Sequence, residues 1–78
     1  MTLSTAEIHV RACVRGILPE AEAEKLLADE AWLDAEVSNV LAAVTDAQGE
    51  NAHDLAGQER GLAAYNEDLR ARIGAGAR

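Results

Sequence analysis

The sequence predicts an all-α fold, a small bundle of three to four helices within one domain over residues 1–78. No stretch alternates apolar and polar residues as a strand would. Alanine, leucine, glutamate and arginine, which all favour helix, dominate the composition. Apolar residues recur at helical spacing over residues 5–18, 20–47 and 52–73. We therefore expect helices in these three segments and a frayed tail over residues 74–78.

The first helix is predicted over residues 5–18. Ser4 and Glu7 have the spacing of a capping box, and Leu3 and Ile8 have that of a hydrophobic staple. The single proline of the chain then ends this helix, because it lacks a backbone donor and disfavours helical geometry before it. The expected inward stripe consists of Val10, Cys13, Val14 and Ile17.

The second predicted helix, residues 20–47, has two interpretations. As one continuous rod it would be roughly 40 Å long. Glu30 would then lie inside its apolar stripe and Trp32 well off it. Either the helix breaks near residues 28–31, with Asp29 as a new N-cap, or Trp32 serves a contact outside the monomer.

The last helix, residues 52–73, follows a loop around Gly49, and Asn51 is its expected cap. Its large apolar residues repeat every seven positions, which is typical of a narrow coiled-coil seam. The predicted oligomer seam consists of Leu55, Leu62, Leu69 and Ile73. A strip of small residues on another face favours either a close helix contact or an unremarkable solvent face: Gly57, Gly61 and Ala64.

The formal net charge of −7 is concentrated in the middle of the chain. Residues 20–54 hold ten acids and one base, a balance of −9. These acids form either a solubilising face or a face that docks on a basic protein. The predicted partner-binding residues are Trp32, Glu20, Glu22, Glu24, Asp29, Asp34 and Glu36. The acidity argues against direct nucleic-acid binding.

The sequence predicts neither a membrane segment nor a secretory signal. Its longest uninterrupted apolar run is Val40–Val44, far short of the ~20 residues that a spanning helix needs. The first residues lack a basic start followed by an apolar run. A single cysteine gives no disulfide framework. We therefore expect a cytoplasmic protein.

Two constellations have the spacing of reactive sites, but a structural role is the stronger interpretation of both. Glu50 and His53 have a Glu-x-x-His spacing, and with Glu30 they would be the metal ligands of a helical enzyme. His9 and Cys13 are one helical turn apart, as a thiolate–imidazole pair would be. Because Cys13 lies on the apolar stripe, we expect a buried, inert thiol. We predict no catalytic residue, no metal and no cofactor.

The sequence therefore predicts a non-enzymatic, small acidic helical protein that binds and regulates or blocks a larger macromolecule. Inhibitors encoded by phages and mobile elements have this general size and charge. The alternative is a structural subunit of a complex or virion, and a metal-dependent helical enzyme is the remote one. A core this small supplies little net stability, so we expect a homodimer or a subunit of an assembly.

Overall fold

The computed structural model describes residues 1–74 and confirms the all-α helical bundle. Gly74 ends the last helical turn, and the rest of the predicted frayed tail, residues 75–78, lies outside the described residues. The described part holds four α-helices and a final π-helical turn. They are α1 (Leu3–Ile17), α2 (Glu20–Leu27), α3 (Glu30–Gln48), α4 (Leu55–Leu69) and the π turn (Arg70–Gly74).

The predicted helix over residues 20–47 breaks near residues 28–31, which is one of the two interpretations of the sequence. Helix α2 ends at Leu27, and Asp29 takes extended backbone angles as the N-cap of α3. Its carboxylate accepts a hydrogen bond from the backbone N–H of Trp32 at 3.1 Å. This bond satisfies one of the free donors at the start of α3. The break allows α2 to pack against α1 and α3.

Helix α1 begins at a different cap from the predicted one. Thr2 is the N-cap, and its side chain accepts a hydrogen bond from the backbone N–H of Thr5 at 3.1 Å. Leu3 and Ile8 are each 68% exposed, so the predicted hydrophobic staple is wrong. A staple requires the residue before the cap and one in the first turn to pack together, whereas Leu3 already lies inside the helix.

The core is centred on α3, which contacts α1, α2 and α4. Valine and leucine side chains at helical spacing point into it, as the sequence predicts. Cys13 and Ile17 pack at its edge, partly buried. The buried apolar residues are Ala6, Val10, Val14, Ala23, Leu27, Leu33, Val37, Val40, Val44, Tyr65 and Leu69.

Helix α4 packs on α3 through a row of residues four positions apart. Gly57 and Gly61 are buried at the start of this row, and Tyr65 and Leu69 continue it. A Cβ atom built on Gly61 would lie 2.6 Å from the Cα of Val44. The two backbones therefore touch at Gly61, and the close helix contact is the right interpretation of the small residues there.

The residues of the predicted oligomer seam do not form one continuous exposed surface. Leu69 is fully buried in the core of its own monomer, and Leu62 and Ile73 pack partly against the same core. Leu55 is 73% exposed, whereas Leu62 and Ile73 are only partly exposed. Leu69 belongs both to the seven-residue repeat of leucines and to the row of residues four positions apart that begins at Gly57. Helix α4 packs against α3 along the row that begins at Gly57.

The start of α4 is also later than predicted. Asn51 does not cap the helix; its side chain accepts a hydrogen bond from the backbone N–H of His53 at 3.1 Å, within the connecting loop. Asp54 occupies the N-cap position instead. Gly49 ends α3 with a φ of 58°, a conformation that glycine adopts without strain.

Candidate functional site

The acidic side chains of α2 and the start of α3 lie on the surface, with one exception among the predicted set. Glu24 pairs with Arg15 across an exposed 3.3 Å contact. Within residues 1–74 the other exposed members form no ion pair. The exposed members are Glu20, Glu22, Glu24, Asp29 and Asp34.

These acids lie on separate surfaces rather than forming one flat face. Trp32 and Asp34 are two positions apart on α3, so they project about 200° apart around its axis. Glu20 and Glu24 share a recess with Arg15. Asp34 instead lines a depression with Glu7 of α1. The predicted docking set is therefore divided among separate surfaces.

A groove next to these acids lies between α2 and the π turn, and we call it the α2 groove. Its volume is about 460 Å³. Its apolar lining consists of Leu18, Leu26 and Ile73. Its charged lining consists of Glu22, Asp29, Lys25 and Arg72. The groove thus combines two predicted docking acids with Ile73 of the predicted seam.

Glu36 is not part of any docking surface, and its assignment to the partner-binding set is wrong. The residue is only 4% exposed. The Tyr65 hydroxyl donates to its carboxylate at 2.9 Å, and the Arg72 guanidinium donates to both its oxygens, at 2.8 and 3.0 Å. The carboxylate is enclosed because α4 and the π turn cover this side of α3.

The environment of Glu36 keeps this carboxylate charged. Burial raises the pKa of Glu36, but hydrogen bonds from Arg72, Tyr65 and Asn39 together outweigh burial, and the net pKa is lowered. Arg72 also pairs with Asp68 at 2.8 Å. The network joins α3, α4 and the π turn, so the inward-facing acid of this helix is Glu36. Glu30, which the sequence placed on the apolar stripe, is exposed.

Trp32 is half-buried at the first turn of α3 and packs against the core. Its backbone N–H donates to the Asp29 carboxylate that caps α3. Part of the Trp32 side chain remains in contact with water. The sequence had predicted Trp32 as a partner-binding residue, and that assignment stays a prediction.

His9 and Cys13 of α1 meet Asn66 of α4. His9 Nε2 lies 2.7 Å from Asn66 Oδ1, and Cys13 Sγ donates to the same oxygen at 3.1 Å. The signal in the sequence that could have indicated Asn66 is its place as a polar residue among the large apolar residues of α4.

This cluster does not have the arrangement of a nucleophilic triad. A relay uses one imidazole nitrogen for the nucleophile and the other for the orienting group. Here the same atom, His9 Nε2, faces both Cys13, at 3.4 Å, and Asn66. Burial raises the pKa of the Cys13 thiol, and the smaller opposing effect of the Arg70 charge does not reverse this shift. The thiol therefore carries its proton.

The proposed metal ligands Glu30, Glu50 and His53 do not come together. Glu30 begins α3, whereas Glu50 and His53 follow its other end, and a helix of 19 residues is about 28 Å long. Within residues 1–74, no group of three or more histidine, cysteine, aspartate and glutamate side chains is placed to hold a metal ion. The distance along α3 overturns this ligand set.

Comparisons with known proteins add no family to this description. No protein-family model matches the sequence, and no curated protein or solved structure is similar to the chain. None of the helices described over residues 1–74 combines the length and the apolar character needed to cross a membrane.

Proposed function

We propose that this chain is a non-enzymatic binding protein that docks on a basic surface of a larger protein and blocks or regulates it. The observation that carries the proposal is the exposed, unbalanced negative charge of α2 and the start of α3. Among residues 1–74, Glu20, Glu22, Asp29 and Asp34 have no cationic partner within ion-pair distance.

The contrast with Glu36 supports this interpretation. Glu36 is matched by Arg72 in the interior, where an unpaired carboxylate would be costly. Among the acids of α2, Glu24 pairs only with Arg15 on the surface, and Glu20 and Glu22 have no cationic partner within the described residues 1–74. Glu20 and Glu22 favour helix formation through the dipole at the start of α2, but Asp34 lies in the second turn of α3, beyond the reach of that effect. Docking accounts for surface charge that helix formation does not require.

The α2 groove adds an apolar centre to this charged surface. Leu18, Leu26 and Ile73 provide aliphatic contact area, and Glu22 and Asp29 lie on its margin. Interfaces commonly combine an apolar centre with a polar rim. The charges would speed association, and the apolar contact would slow dissociation.

The test is capture of partners from the native host with the wild-type chain, followed by kinetics on the captured protein. In the triple variant Glu20→Lys/Glu22→Lys/Glu24→Lys, we expect the association rate to fall at least tenfold at low salt. The difference should shrink as salt rises, because exposed charges are screened beyond ~8–10 Å at physiological ionic strength.

A matched control reverses three exposed acids that lie outside α2 and the start of α3. Glu50, Glu59 and Glu67 are exposed and, within residues 1–74, form no ion pair. Glu50→Lys/Glu59→Lys/Glu67→Lys changes the net charge equally and should slow association far less. Equal slowing by both triple variants would mean that only net charge matters. Unchanged association of the α2 variant at low salt would overturn the proposal.

A further inference from the structure

The α2 groove is lined by acidic and aliphatic residues that follow one face of α2. Glu22, Leu26 and Asp29 are four and three positions apart, which is the spacing of one helical face, and all three line the groove. The Asp29 N–H donates to the Leu26 carbonyl at 3.2 Å, so the chain keeps winding past the end of α2 as far as Asp29. This face of α2 therefore presents a leucine between two carboxylates.

Both carboxylates have oxygens that are available to a partner. Glu22 is exposed and forms no ion pair within residues 1–74. Asp29 Oδ1 accepts the hydrogen bond that caps α3, which leaves its other oxygen for a partner. The two residues are seven positions apart, and at ~1.5 Å per residue this places them roughly 10 Å apart along the axis of α2. A complementary partner carries two cations at the same separation.

The two cations that line the groove differ in how they are balanced. Arg72 pairs with Glu36 and Asp68, so its charge is compensated within the chain. Lys25 lies next to Leu26 in sequence and forms no ion pair within the described residues 1–74. A continuous basic run on the partner would bring a cation against Lys25. The groove therefore favours two separated cations over an unbroken basic segment.

The lining of the groove favours a helical partner segment over an extended one. Both walls of the groove, α2 and the π turn, are helical and offer no strand edge to which an extended peptide could add. A helix satisfies its own backbone hydrogen bonds, so it can lay an apolar face on aliphatic side chains without burying unpaired donors. On such a helix, two residues seven positions apart share one face with a residue between them.

We propose that the α2 groove binds an amphipathic helix of the partner protein, in which a large aliphatic residue lies between two basic residues seven positions apart. The inference rests on the docking function proposed above and specifies the segment that is recognised. The aliphatic residue contacts Leu26 and Ile73, which supplies affinity through apolar burial. The basic residues pair with Glu22 and Asp29, which fixes the position of the helix along the groove.

The experiment titrates the isotope-labelled full-length protein with two synthetic peptides and follows its amide chemical shifts. The designed peptide is an alanine- and glutamine-based helix, held helical by a covalent staple on its far face. It carries one leucine, with a lysine three positions before it and another four positions after it. The control peptide has the same composition, with both lysines moved to the face opposite the leucine. We expect the designed peptide to bind at least fivefold more tightly. Equal affinity, or no binding of the designed peptide, would overturn the proposal.

A pair of protein variants separates the groove from net charge. Glu22→Gln/Asp29→Asn removes both groove carboxylates, and asparagine still serves as the cap of α3. We expect it to weaken binding of the designed peptide about fivefold. Glu20→Gln/Asp34→Asn is the matched control, because these acids are exposed and lie outside the groove. Its affinity should equal that of the wild type. Equal weakening by the two variants would overturn the proposal.

The shifts of the wild-type protein locate the peptide without any substitution. The largest changes should fall on the amides of Glu22, Leu26 and Ile73, and changes centred on α1 or α4 would contradict the proposal. The outcome is also distinguishable from failure of the docking function. If the designed peptide does not bind but Glu20→Lys/Glu22→Lys/Glu24→Lys still slows association with the captured partner, only the groove inference is wrong. If that variant leaves association unchanged at low salt, the docking function and this inference are both wrong.

Discussion

Two regions of this molecule use carboxylates in opposite ways: one buries a carboxylate in a hydrogen-bonded contact, and the other exposes carboxylates to water. At the α3–α4 contact, Gly61 allows the backbones to touch and Glu36 is buried under Tyr65 and Arg72. Around α2, glutamates such as Glu22 project into water. The role of a carboxylate here is decided by what the neighbouring helix places over it, rather than by its own segment of sequence.

The comparison also separates what stabilises the fold from what is available for binding. The α3–α4 contact is closed: its polar groups are satisfied within the chain, and residues 1–74 contain no buried side-chain donor or acceptor without a partner. The α2 segment leaves its charges open to solvent. Substitutions should therefore alter stability in the first region and association in the second.

The largest effect is expected for Gly61→Ala. The new Cβ would lie 2.6 Å from the Cα of Val44 and 2.7 Å from the carbonyl oxygen of Ala43, so the backbones must separate. Overpacking costs about 1–3 kcal/mol, and alanine's helix propensity returns only ~1 kcal/mol where no clash exists. We expect a net loss of about 2 kcal/mol in urea unfolding. An unchanged or raised stability would contradict the close approach of these helices.

The next effect concerns the buried carboxylate. Glu36→Gln removes the charge from Arg72 and should lower the free energy of unfolding by about 1–2 kcal/mol. Because the pKa of Glu36 is lowered in the folded state, its contribution is present above the unfolded value of 4.5 and is lost as pH falls through the folded value.

The pH dependence distinguishes this charge from mere packing. As pH falls from neutral through the unfolded value of 4.5 and below, the wild type should lose more stability than Glu36→Gln. Urea unfolding followed by circular dichroism measures both. Parallel pH profiles of the unfolding free energy in the wild type and Glu36→Gln would show that the charge of Glu36 does not contribute to stability.

A smaller effect tests the break between α2 and α3. Asp29→Ala removes the cap on Trp32 N and should cost about 1 kcal/mol. Asp54→Ala is the matched control at the start of α4, where the side chain makes no capping hydrogen bond and pairs with Arg60 only on the surface. That variant should lose a few tenths of a kcal/mol. An equal loss of unfolding free energy in Asp29→Ala and Asp54→Ala would contradict a stabilising role of the Asp29 cap.

The smallest effect has the opposite sign. Gly16 lies within α1, and a Cβ added there would meet nothing within 4 Å. Gly16→Ala should raise the free energy of unfolding by up to about 0.5–1 kcal/mol, through helix propensity alone. Thermal unfolding of Gly16→Ala and Gly61→Ala in parallel measures the comparison directly. The same substitution should raise the stability of the protein at Gly16 and lower it at Gly61.

The helices and their core faces were predictable where large apolar side chains determine packing. The stripe of Val10 and Val14 in α1 was predicted, and the Asp29 break was one of two open interpretations. The inward face of α4 was not predictable, because it rests on Gly57 and Gly61, which carry no hydrophobic signal. Their spacing indicated only that a neighbour could come close, without saying which one.

The candidate sites were harder to predict because they depend on distant parts of the chain. Glu36 meets Arg72 across 36 residues, and His9 meets Asn66 across 57. Periodicity within one helix contains no information about such pairs. The division of the acids into separate surfaces has the same origin, since it follows from how α2 turns after Leu27.

Because of the π turn that follows α4, the contact between Arg72 and Glu36 depends on the number of residues in this segment. A π turn accommodates one residue more per hydrogen-bonded loop than an α-helix does, and this shifts every later side chain around the axis. Arg72 stands in that shifted frame and reaches Glu36 from it. Deleting Ala71 would restore α-helical winding and rotate the Arg72 guanidinium away from the Glu36 carboxylate. The buried Glu36 carboxylate would then lack its cationic partner. Over this segment, the number of residues is therefore constrained together with the identity of Arg72.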